Sequence, residues 1–244
     1  MPTRTDEVWK TSAVASIYLE GVRGAIPLAQ EQLDVMLRLL AAGRPVRDFL
    51  DLGCGDGVLG AAIFERFPQA RGVLVDFSEP MIEAARKRFA GQNYNARCAN
   101  ADYGAASWIA AADARGPFDA VVSGYSIHHQ PDARKREVYA EIFGLLAPGG
   151  LFLNLEHVAS ASPWVESVHD GLFLDQLARQ HHDRSRAEVE KTYYARPDKA
   201  ANILAPLEAQ CQWLREIGYT DVDCYLKVFE LAVFGGRKPG LLNS

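Results

Sequence analysis

The chain has 244 residues, 48% of them hydrophobic, and a formal net charge of -5 at pH 7. This length and hydrophobic content suffice for one sizeable core, so one α/β domain with added segments is the simplest division. With a net negative charge, the chain lacks the overall positive charge that attracts nucleic acid. Two basic runs, 134–136 and 179–186, are interpreted as solvated helix faces. A nucleic-acid partner is therefore not expected.

The cysteines and the N-terminal residues bear on the cellular compartment. The four cysteines lie far apart in the chain, which predicts neither a zinc site nor a disulfide framework. Residues 1–10 are charged rather than apolar, and no apolar run reaches the length that crosses a membrane. The sequence thus predicts a reduced, cytoplasmic protein that is not inserted in a membrane.

Residues 1–45 precede the first strand pattern. They predict helices, among them one from Ile26 to Leu40 that carries an apolar stripe along one face. We expect this region to form a helical lid over the domain that follows.

The segment 49–60 is the most informative in the chain. A short apolar run passes through Asp51 into a turn with glycines at 53, 55 and 57. Glycine lets the backbone approach a ligand closely and accepts positive φ angles. Apolar residues at helical spacing follow the turn. This arrangement is typical of a nucleotide site, and its spacing also matches the dinucleotide fingerprint G-x-G-x-x-G.

Asp51 distinguishes between two nucleotide ligands. A carboxylate just before the first glycine would repel the pyrophosphate of NAD. S-adenosylmethionine instead presents an ammonium and a sulfonium beside such a turn, and an acid there is favourable. The segment resembles motif I of the class I S-adenosylmethionine-dependent methyltransferases. The resemblance implies a cofactor site that includes Asp51, Gly53, Cys54 and Gly55.

A second strand is predicted over residues 72–76 and ends in Asp76. A carboxylate can accept hydrogen bonds from both hydroxyls of a ribose at once, so we expect Asp76 to hold the ribose. Phe77 and Met81 are expected to pack near the adenine or, alternatively, in the core. The alternative for Asp76 is a cap on the helix that follows.

A third strand is predicted to end near residue 102. Residues 96–103 resemble the family's strand that ends in Asp followed by a hydrophobic or aromatic residue. The resemblance implies that Asp102 accepts the adenine amino group and that Ala101 and Tyr103 lie beside the ring. Ordinary packing is the alternative for Tyr103.

The fourth strand, within residues 117–130, runs into a loop of small residues. Ligands of open α/β sheets bind beyond the carboxyl ends of the strands, so we expect Ser123 and the residues after it to border the transferred methyl group. The fifth strand, 150–157, reaches the same crevice. The family often carries a histidine pair here that only starts a helix, so a catalytic role is left open. The candidate proton acceptors are Tyr125, His128, Glu156 and His157.

Residues 158–205 interrupt the alternation with helical, polar and aromatic sequence, and such insertions usually shape substrate recognition. Arg23 and Arg196 are candidates to bind a substrate carboxylate or, alternatively, partners in surface ion pairs. The histidine pairs 128–129 and 181–182 invite a metal interpretation. Adjacent histidines on a helix point about 100° apart, and no carboxylate is spaced to complete a site. No metal is expected.

From residue 206 a helix that Gly218 ends and two strands, 219–225 and 227–235, complete the chain. The alternation of strands and helices requires right-handed crossovers and a mostly parallel sheet. We expect an α/β fold, doubly wound, with a Rossmann-like sheet of seven strands. The predicted parts are the lid (1–45), the cofactor-binding core (46–157), the helical insertion (158–205) and the C-terminal helix and closing strands (206–244).

Three functions follow from these resemblances. The first is methyl transfer from S-adenosylmethionine to an O, N, S or C nucleophile of a small molecule, with S-adenosylhomocysteine as product. The second is a carboxy-S-adenosylmethionine synthase. Residues 22–27 are similar to that family's early Arg-to-Pro segment, and Glu156 and Arg196 fall near its Glu and Arg, whereas Leu28 and Gly124 replace its Tyr and Asn. The third is a non-catalytic module that binds the cofactor. A homodimer through the lid or the insertion is left open.

Overall fold

The computed structural model describes residues 4–19, 23–180, 184–195 and 199–240 of the chain. Within them one seven-stranded sheet has the order β3-β2-β1-β4-β5-β7-β6. Strands β1 to β5 run parallel, and β7 is antiparallel to both β5 and β6. The prediction of a doubly wound, mostly parallel α/β sheet is confirmed. The strands are β1 (Asp48–Leu52), β2 (Arg71–Asp76), β3 (Asn95–Asn100), β4 (Phe118–Gly124), β5 (Leu146–His157), β6 (Thr220–Val228) and β7 (Leu231–Arg237).

Helices flank both faces of this sheet. Short 3-10 turns also occur at Thr5–Lys10, Arg23–Ala25, Ile127–His129 and Lys199–Ala201. Among the described residues, none of the helices is both long and apolar enough to cross a membrane. The α-helices are α1 (Ser12–Ile17), α2 (Ala29–Ala42), α3 (Val58–Arg66), α4 (Glu79–Phe89), α5 (Trp108–Ala111), α6 (Asp132–Leu145), α7 (Pro163–Gln180), α8 (Arg186–Tyr194) and α9 (Leu207–Ile217).

Alternate residues of the central strands face two different cores. On β1, Phe49 packs in the core beneath α2 and α3, whereas Leu50 and Leu52 pack in the core beneath α6 and α9. This division follows from the period of two residues in a strand. Because both faces are covered by helices, β1 is apolar at Phe49, Leu50 and Leu52. Asp48 is half-buried at the start of the strand, and Asp51 is fully buried.

The glycine turn between β1 and α3 has the backbone that its sequence predicts. Gly53 has φ +68°, and a Cβ there would lie 1.9 Å from Ser126 Oγ. Gly55 has φ +54°, and a Cβ there would meet nothing within 4 Å. The first glycine is therefore required by close packing, and the second leaves the backbone facing open space.

Several element boundaries differ from the sequence prediction. The helix expected from Ile26 begins only at Ala29, because the preceding residue, Leu28, has a left-handed φ of 55°. The fifth strand begins earlier than expected, at Leu146. The sixth strand continues to Val228, and the seventh begins only at Leu231 and ends at Arg237. Helix ends and strand ends depend on tertiary contacts that periodicity does not contain.

The expectation that the basic run 134–136 is a solvated helix face was wrong for Arg134 and Lys135, whereas Arg136 is exposed. Lys135 is 1% exposed, and its ammonium donates to Asp132 (2.6 Å) and to the carbonyl of Ile203 (2.5 Å). Arg134 donates to the carbonyl of Tyr103 at 2.7 and 2.9 Å. These two side chains connect α6 with the end of the insertion and with the loop after β3.

Candidate functional site

The strand order reverses between β1 and β4, and the carboxyl ends of the strands border a crevice at that point. A cavity with about 990 Å³ of empty space, including its mouth, opens there. We call it the first cavity. Its walls come from the glycine turn, from the ends of β2 and β4, and from the lid. The lining residues include Trp9, Tyr18, Gln32, Asp51, Gly53, Cys54, Gly55, Asp56, Asp76, Phe77, Ser78, Met81, Tyr125, Ser126 and His129.

Asp51 lies at the floor of the first cavity, and one of its two carboxylate oxygens has a hydrogen-bond partner. Oδ2 accepts a hydrogen bond from the backbone N–H of Gly60 at 2.9 Å. Oδ1 is buried and has no hydrogen-bond partner within the described ranges. Burial raises the pKa of this carboxyl to about 7. A buried carboxylate oxygen without a partner is costly, so this atom is matched to a cationic group of a ligand.

Asp76 ends β2 on the opposite side of the glycine turn. Its carboxylate accepts the N–H of Gly55 at 2.9 Å and that of Ser78 at 2.8 Å. Burial also raises the pKa of this carboxyl, to about 6. The two hydrogen bonds fix the carboxylate against the turn and leave further acceptor positions of its oxygens for a ligand. The predicted role in holding ribose hydroxyls fits this position.

These features fit the cofactor that the sequence predicts. The carboxylate oxygen of Asp51 without a partner suits an ammonium, and the fixed carboxylate of Asp76 suits a pair of hydroxyls. The open space at Gly55 lets a nucleoside approach the protein backbone. Phe77 and Met81 add apolar walls. Lysine and arginine side chains are absent from the lining given by the described residues. The first cavity is thus built for a ligand with positive charge.

Asp102 does not line the first cavity. Its carboxylate binds the guanidinium of Arg4 at 2.5 and 3.1 Å and accepts the N–H of Gly104 at 2.8 Å. Arg4 also pairs with Asp6 at 2.6 Å. The implied contact between Asp102 and an adenine amino group stays a prediction, because it requires Arg4 to release the carboxylate.

Three more predicted cofactor residues are absent from the lining of the first cavity. Ser123 is fully buried, and its hydroxyl donates to the carbonyl of Leu52 at 2.7 Å. Tyr103 shares a 2.6 Å hydrogen bond with Ser126, which does line the cavity. Ala101 is a buried residue of the core. These residues support the walls, and their direct contact with a cofactor stays a prediction.

A second cavity adjoins the first. It shares Trp9, Tyr18, Ile26, Tyr125 and His129 with the first cavity. Its remaining walls come from the end of β5, from α7 and α8, and from the start of β7. The residues found only in the second cavity are His128, His157, His169, Phe173, Tyr193, Lys199, Asn202 and Leu231.

His128 is held in one orientation by Glu156. Its Nδ1 lies 2.5 Å from Oε1 of Glu156, and its backbone N–H donates to Oε2 at 3.0 Å. Glu156 is 1% exposed and also accepts the side-chain amide of Asn154 at 3.3 Å. With Nδ1 engaged, the nitrogen left for the second cavity is Nε2. This pair has the geometry of a base and the group that orients it.

Two other candidate proton acceptors have different surroundings. The hydroxyl of Tyr125 donates to Oε1 of Gln32 at 2.5 Å, and burial raises the pKa of this hydroxyl far above its ordinary value. A protonated phenol that donates to a lid residue does not act as a base at neutral pH. Tyr125 also has a left-handed φ of 51°, a strained conformation often found at functional sites. Its position links the lid to both cavities.

His157 belongs to a separate pair with Glu230. Its Nε2 lies 2.5 Å from Oε2 of Glu230, and its Nδ1 lies 3.5 Å from the side-chain nitrogen of Asn202. Glu230 also accepts the hydroxyl of Ser160. Although burial opposes it, the hydrogen bonds from His157 and Ser160 hold the pKa of Glu230 below its usual value. Both ring nitrogens of His157 thus face protein groups.

The two predicted substrate arginines cannot be placed. Arg196 lies outside the described residues, and for Arg23 only the backbone, in a 3-10 turn, is described. Their contact with a substrate carboxylate stays a prediction. Lys199, which the sequence reasoning did not single out, is the lysine in the lining of the second cavity, and Asp170 holds it at 3.1 Å.

Sequence reasoning missed several residues that line the two cavities. Trp9 and Gln32 belong to the lid, where no local motif marks a ligand contact. His169 and Glu230 lie in α7 and in the turn before β7. A histidine in an amphipathic helix gives no signal of its own, and only the fold brings it to the site.

The comparisons with known proteins agree with this geometry. Residues 49–150 match the family model described as a methyltransferase domain. An O-methyltransferase family protein from Burkholderia thailandensis has the same fold, with a TM-score of 0.68 at 18% identity over 99% of this chain and 64% of that one. Residues 49–150 are thus a methyltransferase domain of the class I S-adenosylmethionine-dependent type. Its cofactor is S-adenosylmethionine, as the sequence predicts.

Among the relatives of this methyltransferase, two illustrate different activities. It is 26% identical to a carboxy-S-adenosyl-L-methionine synthase of Desulforapulum autotrophicum over 93% of this chain and 90% of that protein. It is 33% identical to a trans-aconitate 2-methyltransferase of Methylobacterium radiotolerans over 53% of this chain and 50% of that protein. The second match spans only half of each chain, so it does not identify the acceptor.

Proposed function

We propose that this methyltransferase transfers a methyl group from S-adenosylmethionine to a small molecule bound in the second cavity. The proposal includes an acceptor atom that carries a proton, which His128 removes. The observation that carries it is the 2.5 Å contact between His128 and Glu156 in the second cavity, beside the first cavity. When bound, S-adenosylmethionine supplies a methyl group that is activated by the positive sulfur.

The protein's own residues have separate tasks in this proposal. Asp51 and Asp76 hold the cofactor, as their positions in the first cavity support. Glu156 fixes the His128 ring and stabilises the imidazolium that forms when Nε2 takes the proton of the acceptor. Trp9 and Tyr125 lie against both cavities and restrict water between them. Positioning of donor and acceptor provides much of the acceleration in such a reaction.

The shape of the second cavity favours an acceptor of moderate size with an aromatic or apolar body and polar edges. Phe173 and Tyr193 provide ring surfaces, and Lys199 and Asn202 provide hydrogen-bond donors. A protonated nucleophile such as a hydroxyl fits the need for a base, whereas a thioether or a tertiary amine does not require one. A hydroxyl acceptor is therefore the class that we propose.

The carboxy-S-adenosylmethionine synthase is the second candidate function, because that relative matches the chain over almost its whole length. A carboxylate on the cofactor needs a cation beside it, since an unpaired buried charge is costly. The carboxylate would replace a hydrogen of the methyl group that faces the second cavity, where Lys199 is already paired with Asp170 at 3.1 Å. The described lining of the two cavities offers no other lysine or arginine, and this electrostatic pattern favours the ordinary cofactor over the carboxylated one.

Mass spectrometry of nucleosides that copurify with the protein separates these functions. Ordinary S-adenosylmethionine or S-adenosylhomocysteine supports methyl transfer, and a carboxylated nucleoside overturns it. A second measurement follows release of S-adenosylhomocysteine against a panel of hydroxylated small molecules, with matched O-methylated compounds as controls. Binding of the cofactor without turnover of any hydroxylated compound or of a metabolite extract would indicate a binding module instead.

A further inference from the structure

A cluster of possible metal ligands lies at the far wall of the second cavity, outside the residues assigned to methyl transfer. His157 ends β5, His169 lies in α7 and Glu230 lies in the turn before β7. One ligand atom from each side chain lies within 4.8 Å of the other two. The Nε2 atoms of His157 and His169 are 2.5 and 3.6 Å from Oε2 of Glu230.

The ring of His169 is unusual because it has no hydrogen bond within the described part of the chain. The residue is 2% exposed, and its Nδ1 is buried without a partner. The 3.6 Å separation between its Nε2 and Glu230 is too long for a hydrogen bond. Buried polar groups are nearly always paired. Nε2 lies near a carboxylate and a second imidazole but bonds to neither, so this nitrogen is available to an ion while Nδ1 keeps the ring proton.

We propose that His157, His169 and Glu230 bind a divalent transition metal ion of the zinc class. Two imidazoles and one carboxylate form a donor set that zinc prefers in sites that keep a position for an external ligand. The three residues come from three different parts of the fold, namely β5, α7 and the turn before β7. Calcium and magnesium are disfavoured because they select oxygen ligands.

Metal binding requires small local changes that the surroundings permit. His157 Nε2 and Glu230 Oε2, now 2.5 Å apart, have to separate so that both reach the ion at about 2.0–2.2 Å. The proton between them must leave Nε2. It can move to Nδ1, where the amide oxygen of Asn202 accepts it after a flip of that side chain. Ser160 already binds the other oxygen of Glu230, as neighbouring groups do around metal-binding carboxylates.

The ion would lie at the wall of the second cavity, so its open position would face the molecule bound there. An acceptor oxygen on the metal would be oriented and made more acidic. This role rests on the proposed function. Binding of the ion does not, because it can be measured without cofactor or acceptor.

The test uses the full chain, stripped with a chelator, and titrates it with Co²⁺ followed by visible absorption and with Zn²⁺ followed by calorimetry. We expect one ion per chain, with d–d absorption typical of nitrogen and oxygen ligands. The variants His169→Gln and Glu230→Gln should lower the affinity by at least about 100-fold. Glu166→Gln, which removes an exposed carboxylate from the same helix as His169, should leave it unchanged.

Several results would overturn the site. One is the absence of stoichiometric binding by the wild-type chain. Another is a thiolate-to-metal absorption band, which would place the ion on the cysteines. The last is equal affinity in the His169→Gln variant and the wild type. Circular dichroism of each variant without metal shows whether it is folded, and His157→Gln serves as a replacement if one of the others is not. If the chain does not bind a metal ion, the proposal of methyl transfer still stands, because that function is measured by turnover of hydroxylated compounds.

Discussion

The first and second cavities share a wall but differ in the residues that line the rest of each. The first is lined by aspartates and glycines that follow consecutive strands of the sheet, whereas the second is lined by histidines and aromatic side chains from the lid, β5, the insertion and β7. Acids suit a fixed cationic cofactor, and neutral rings suit a varied acceptor and its proton. The difference indicates that cofactor binding is a property of the sheet and acceptor binding is a property of what covers it.

The strongest test of this division is His128→Asn. Removal of the base should lower kcat by about 10²- to 10⁴-fold. The affinity for S-adenosylhomocysteine should stay unchanged, because His128 lies only in the second cavity. Steady-state turnover and calorimetry measure the two quantities separately. A variant that keeps full turnover would show that the acceptor needs no base from this residue.

Asp76→Asn tests the first cavity, and its expected effect is on cofactor affinity. Loss of the negative charge that we propose to hold the ribose should weaken S-adenosylhomocysteine binding by about 100-fold. Calorimetry measures the affinity, and Asp113→Asn, at an exposed acid, is the matched control. Unchanged affinity in Asp76→Asn, with the variant shown to be folded, would count against the assignment of the cofactor to the first cavity.

The pH dependence of cofactor binding should follow the buried acids. Burial raises the pKa of Asp51 to about 7 and that of Asp76 to about 6. A cationic ligand favours the ionised carboxylates, so the affinity should fall as pH falls through these values. Calorimetry with S-adenosylhomocysteine should show a loss of about tenfold between pH 8 and pH 6. The variant Asp51→Asn should bind more weakly at pH 8 and show a flatter profile.

The smallest effect concerns the lid and Asp102. The Arg4 guanidinium joins the N-terminal segment to Asp102, and Trp9 of that segment covers both cavities. Arg4→Ala should weaken S-adenosylhomocysteine binding by about 2- to 5-fold, as expected for a partly exposed ion pair. Arg115→Ala, which removes an exposed pair, is the control. Tighter binding in Arg4→Ala would instead show that Asp102 is needed by the adenine and that Arg4 competes with it.

The cofactor side of the molecule was largely predictable. Asp51, the glycine turn and Asp76 lie close together in sequence, and the rule that parallel strands present their carboxyl ends to one edge places them together. Direct cofactor contacts by Asp102 and Ser123 stay predictions, because each side chain has a partner inside the protein. Such partners come from elements far along the chain, and no local pattern reveals them.

The acceptor side was predictable only in part. His128 and Glu156 were identified from their strand ends, but their 2.5 Å contact was not. The expectation of no metal rested on the histidine pairs that are adjacent in the chain. The structure instead gathers His157 and Glu230, 73 positions apart, around His169. Lys135 was misjudged for the same reason, since its burial depends on the insertion that covers it.

The sequence by itself determined the sheet, the glycine turn and the class of cofactor, because strand periodicity, glycine conformation and the placement of acids after strands are local properties. Only the tertiary structure decided which rings face one another in the second cavity, which acids keep a free oxygen and which are already paired. Those outcomes depend on packing between the lid, the insertion and the last two strands, and the contacts involved join residues that local patterns treat as unrelated.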